Sequence, residues 1–86
     1  FKAMTIEHDW YGKEENLPVR EQMREILINK GYHILCSDVW YQNNEYFEDW
    51  VINPKYINPK EFNYLQSDKL SYTEIINKIR QHEYNK

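Results

Sequence analysis

Hydrophobic and polar positions alternate from the start of the chain. Over residues 2–9, Met4 and Ile6 fall on one face and Ala3 and Thr5 on the other, before the chain turns polar at Glu7-His8-Asp9. A period of two predicts a strand. Trp10 to Asn16 is a polar loop holding Gly12. The period then lengthens. Val19, Met23, Ile26, Leu27 and Lys30 follow helical spacing, with Asn16 as N-cap, Pro18 in the first turn and Gly31 as the stop. A second strand is predicted over residues 32–41 and a third over 46–52. The turn Gln42-Asn43-Asn44-Glu45 joins them as a hairpin, since Asn tolerates positive φ.

Beyond the third strand, Asn53-Pro54-Lys55-Tyr56-Ile57 is echoed by Asn58-Pro59-Lys60-Glu61-Phe62. Asn-Pro supplies an N-cap and a first helical residue, and the second copy predicts a short helix to about Leu65. Ser71-Tyr72-Thr73-Glu74 is a capping box, and Ile75, Ile76 and Ile79 form a stripe in a last helix over 72–83. The fold class is α/β: a small three-stranded mixed sheet with an amphipathic crossover helix and C-terminal helices, in one compact unit. The crossover is long enough to make the first two strands parallel. Ligands of such sheets gather at the carboxyl ends of the parallel strands. Glu7, His8, Asp9 and Trp10 therefore stand as the substrate-side candidates.

The chain has 86 residues, enough for one domain at most. Its three Phe, eight Tyr and three Trp supply much of the apolar area available to a core. Eleven basic residues face fourteen acidic ones, with no basic block, which argues against a nucleic-acid partner. Cys36 is the sole cysteine, so no internal disulfide forms, and its apolar neighbours Ile34 and Leu35 predict a buried thiol. There is no signal peptide and no membrane-length apolar run, so the expected address is the cytoplasm. Strand-like sequence begins at once, with Phe1 where an initiator Met would stand, and a piece of a longer protein is expected.

Three uses fit Glu7-His8-Asp9: a polar strand end bonded to nearby backbone, an acid/base pair facing a substrate, or part of a metal site. The last needs convergent ligands, and no spaced partner motif is present, so no metal or cofactor ligand is assigned. Glu48 and Asp49 are adjacent in a strand and point to opposite faces, so they form no catalytic dyad. One of them is expected to pair with Lys or Arg or to accept backbone N–H groups. Trp50 is expected in the core. His33 and His82 are read as ordinary surface residues.

Thr5-Ile6-Glu7-His8-Asp9, an Arg20-led helix ending Lys30-Gly31-Tyr32, and Phe47-Glu48-Asp49-Trp50-Val51-Ile52-Asn53-Pro54, in that order and spacing, resemble the C-terminal third of FkbM-type methyltransferases. The likeness covers about residues 3–54; residues 55–86 form a helical extension outside it. It implies the last three strands of a Rossmann-like, S-adenosylmethionine-binding sheet, in the order first-third-second, the third antiparallel to both. It also implies a parent enzyme that methylates a small-molecule or saccharide-type acceptor. The Gly-rich cofactor turn of that family is absent, since Gly12 and Gly31 stand isolated. This chain is therefore expected to bind no cofactor and to be inactive alone. In the family arrangement the outer edge of the first strand pairs with a strand this chain lacks. Residues Lys2–Glu7 are then an open edge, and a homodimer through it is expected. The alternative is a self-standing α/β interaction module that dimerises.

Overall fold

The computed structural model describes residues 2–85. Strand β1 (Ala3–Glu7) leads through a short 3-10 turn, Glu14–Asn16, into helix α1 (Leu17–Asn29). Strands β2 (His33–Val39) and β3 (Glu48–Ile52) follow, then a 3-10 segment at Pro59–Leu65, strand β4 (Ser67–Asp68) and helix α2 (Tyr72–Tyr84). Phe1, at the start of the expected dimer edge, lies outside the described residues.

The sheet order is β1-β3-β2-β4. β3 runs antiparallel to both β1 and β2, with Thr5 opposite Trp50 and Ile34 opposite Val51. The first three strands thus take the order that the resemblance implies. The sheet itself has four strands, not three. β4 pairs parallel with β2 through Cys36–Ser67 and Ser37–Asp68, which brings the C-terminal segment into the sheet. Those two polar residues carry no alternation, so no pattern announces them.

Local signals explain most boundaries. Pro18 sits in the first turn of α1, and Gly31, at φ +88°, ends that helix. Asn43 and Asn44 take φ of 54° and 53° in the hairpin turn. Asn53 and Asn58 both accept a backbone N–H two residues on, from Lys55 and Lys60. Only the second copy continues as a 3-10 segment. The capping box forms: Ser71 Oγ accepts from the Glu74 amide, and the Glu74 carboxylate accepts from the Ser71 amide. β2 spans His33–Val39 where residues 32–41 are expected, and its register with β3 shifts between Ile34 and Cys36 and again between Cys36 and Val39, where Asp38 takes φ +52°.

The core lies between the sheet and the C-terminal elements. Leu35, Cys36, Val39, Ile52, Leu65 and Ile75 are buried together there. Trp50 packs against them from a half-buried position, so it rims the core and does not fill it. Cys36 is fully buried and donates its thiol to the Leu65 carbonyl at 3.3 Å. On the other face α1 buries only Leu27, with Met23 half-buried. Val19 and Ile26, assigned to the apolar stripe by spacing, are about half exposed, at 53% and 48%. No helix among the described residues is long and apolar enough to cross a membrane.

Candidate functional site

The four consecutive candidates at the end of β1 do not converge. Alternation sends Glu7 to one face of the sheet and His8 to the other. Glu7 is exposed and lies opposite Glu48 in the β1–β3 register. His8 is buried beneath α1. Asp9 is exposed at φ +53°, its carboxylate accepting from Tyr11 Oη at 3.0 Å and its carbonyl from Asn16 Nδ2 at 2.9 Å. Asn16 thus braces the loop and leaves the helix it precedes without a side-chain cap. Trp10 stacks on Tyr46, with centroids 5.7 Å apart, and the Arg20 guanidinium lies 4.0 Å from the Trp10 ring centroid.

His8 belongs to a buried charge network that four elements build. Its Nε2 lies 3.2 Å from Oδ1 of both Asp38 and Asp49. Arg24 reaches Asp49 with two nitrogens, Nε at 2.8 Å and Nη2 at 2.9 Å, and the same Nη2 donates to Asp38 Oδ1 at 2.8 Å. Arg20 Nη1 donates to Asp38 Oδ2 at 3.1 Å. The Asp38 amide donates to Asp49 Oδ1 at 2.9 Å. The buried face of α1 is thus partly cationic, which is why its apolar spacing misleads. Asp38 and Arg24 escape a linear reading because they meet only after the β2 bulge turns Asp38 under the helix.

Electrostatics follow from these contacts. Burial works against charging His8, but the hydrogen bonds and charges of Asp38 and Asp49 outweigh it and raise its pKa above 6.5. The Trp10 amide, donating to Nδ1 at 3.2 Å, favours the neutral ring and opposes them. Burial would also raise Asp49, yet His8, Arg24 and the Asp38 amide hold its carboxyl far below the usual range. One ligand atom from each of His8, Asp38 and Asp49 lies within 4.8 Å of the others. Arg24 already supplies the cation to both carboxylates, so the cluster is satisfied as an ion network and its geometry assigns no metal.

The opposite face carries a groove of about 560 Å³ where the loop after β1 meets the β2–β3 turn. Tyr11, Tyr41 and Phe47 supply aromatic walls, and Glu7, Glu45 and Lys13 supply charge. Beside it, Glu48 is buried and accepts from Trp50 Nε1 at 3.1 Å and from Tyr72 Oη. Burial and the Glu48 carboxylate push the Tyr72 phenol well up. The adjacent acids Glu48 and Asp49 therefore serve opposite faces, one bonded to neutral donors and one to arginine.

No protein-family model, curated protein or solved structure matches this chain. Its chemistry is carried by its own geometry. His33 contacts Gln66 Oε1 at 2.6 Å, and His82 stacks on Tyr64 at 3.9 Å, so both lie outside the groove and the network. Burial raises the Cys36 thiol, which suits a packed side chain and not a nucleophile. A second, apolar groove of about 400 Å³ runs along β1, lined by Ala3, Thr5, Trp50, Ile52, Ile57 and Phe62.

Proposed function

We propose that this chain is a sheet-completing unit, the C-terminal part of an FkbM-like, S-adenosylmethionine-dependent methyltransferase, and is not active alone. The observation that carries this is the strand arrangement β1-β3-β2, with β3 antiparallel to both neighbours and β1 left at an edge. In the parent, β1 pairs with a preceding strand that belongs to the cofactor-binding half. The end of β1 then contributes Glu7 and the loop Asp9–Trp10 to the side of the site where a small-molecule or saccharide-type acceptor docks. His8 acts beneath it, holding that loop to the charge network. The lone, buried Cys36 suits a cytoplasmic protein.

A second function has its own support. Residues 55–86 place β4 on the outer edge of β2, and Leu65 and Ile75 in the common core. This favours a self-standing module, in which the β1 edge pairs with its own copy.

Calorimetric titration with S-adenosylmethionine separates the two. The chain alone is expected to give no binding heat, and the chain extended by the reading frame upstream of Phe1 is expected to bind one equivalent. Micromolar binding by the chain alone, or none by the extended protein, would overturn the methyltransferase assignment.

A further inference from the structure

We propose that the groove between the β1–α1 loop and the β2–β3 turn binds a small organic cation, specifically one bearing a methylated ammonium group. Its walls are three aromatic side chains, Tyr11, Tyr41 and Phe47, drawn from two separate loops. Tyr41 meets Phe47 edge-on at 5.8 Å, and both lie near Tyr72, at 6.2 Å and 6.1 Å between centroids, so these three rings form one aromatic wall, and Tyr11 faces the groove from the other loop. Aromatic faces attract cations through the ring quadrupole, and a methylated ammonium, poorly hydrated, gains most from them.

Charge points the same way. Glu7 and Glu45 line the groove, and neither carboxylate has a side-chain hydrogen bond or ion pair among the described residues. The Glu48 carboxylate lies buried next to Glu7 on the same face, bonded to Tyr72 and Trp50 but to no lysine or arginine among the described residues. A buried carboxylate without a counter-charge is costly. A cation held between these rings lowers that cost. The groove already displays the preference: Lys13 Nζ stands 6.0 Å from the Tyr11 ring centroid. A ligand cation takes the place of this ammonium. An anion meets the two lining carboxylates, Glu7 and Glu45, and is repelled. The volume, about 560 Å³, is of the size that small ligands use.

The inference rests on the groove alone and needs neither a parent enzyme nor a cofactor. The test is an NMR titration of the full chain with choline and with its uncharged isostere, in which tert-butyl replaces trimethylammonium. Choline is expected to give saturable shifts at Tyr11, Tyr41 and Phe47, and the isostere to bind about tenfold more weakly or not at all. Glu7→Gln with Glu45→Gln, both at exposed positions, is expected to weaken choline about tenfold with an unchanged melting midpoint. Lys13→Ala is expected to tighten it. Absence of saturable shifts, shifts centred elsewhere, equal affinity for the isostere, or tighter binding of a neutral methyl glycoside would each overturn the proposal. Failure here leaves the sheet-completing role untouched, because that is read from S-adenosylmethionine binding by the extended protein.

Discussion

At His8, burial and charge pull in opposite directions, and Asp38 and Asp49 decide the outcome. A ring this buried would ordinarily stay neutral; two carboxylates at 3.2 Å favour its charged form. Arg24 in turn keeps those carboxylates from repelling each other. Arg24→Ala is expected to cost about 3–5 kcal/mol, because it leaves the buried Asp49 with His8 as its one cationic side-chain partner among the described residues, while Asp38 keeps Arg20. Urea denaturation checks this, and a loss below about 1 kcal/mol would mean that water replaces the guanidinium freely. The network also sets a pH window. Asp49 has a lowered folded pKa, so its contribution is full above about 3.8 and is lost as pH falls through the lower folded value. His8 has a raised folded pKa, so its contribution is full below about 6.5 and is lost as pH rises through the higher folded value. Thermal stability should therefore peak between these limits, and His8→Asn should flatten the decline on the alkaline side. A stability profile that rises steadily above pH 7 would contradict the assignment. Alternation made the opposed directions of Glu48 and Asp49 legible in the sequence. That Asp49 meets Arg24, the Asp38 amide and His8 together was not legible, since these come from α1, from the far side of a bulge and from the end of β1.

The elements differ in how plainly the chain writes them. The hairpin, the capping box and the stop at Gly31 rest on local chemistry, where a few neighbouring residues decide the outcome, and each forms where it is predicted. Ser71→Ala should cost about 1 kcal/mol, seen as a lowered urea midpoint with an unchanged slope. The buried face of α1 is a different case. Its spacing points to Val19 and Ile26, yet tertiary ion pairing turns Arg20 and Arg24 inward and leaves those two half exposed. β4 is set by tertiary contact too, since two residues against β2 hold no pattern of their own. Trp50 lies between the cases, correctly placed in β3 but facing the open groove beside β1. Trp50→Ala should therefore cost about 2 kcal/mol, short of the roughly 3–5 kcal/mol typical of a fully buried large aromatic. A melting midpoint identical to wild type would mean that the indole contributes nothing to the core.

For the whole molecule the dominant feature is the edge strand β1. The Cα radius of gyration is 13.3 Å, against about 12 Å for a compact chain of this length, and the thinnest dimension is 16 Å. β4 covers the outer edge of β2, while β1 ends the sheet on the other side with an apolar groove beside it. Ala3 and Thr5 are exposed there, with no proline or inward-pointing charge to blunt the edge. In isolation two copies should pair through β1 as a closed dimer, and Thr5→Lys, which sets like charges across the two-fold, should return it to a monomer by light scattering. The most direct measurement is amide hydrogen exchange along β1 as protein concentration rises from the low micromolar range. An open edge predicts that protection of residues 3–7 grows with concentration while that of β3 stays constant. Protection of β1 equal to that of β3 at every concentration, in a chain that remains monomeric, would contradict it.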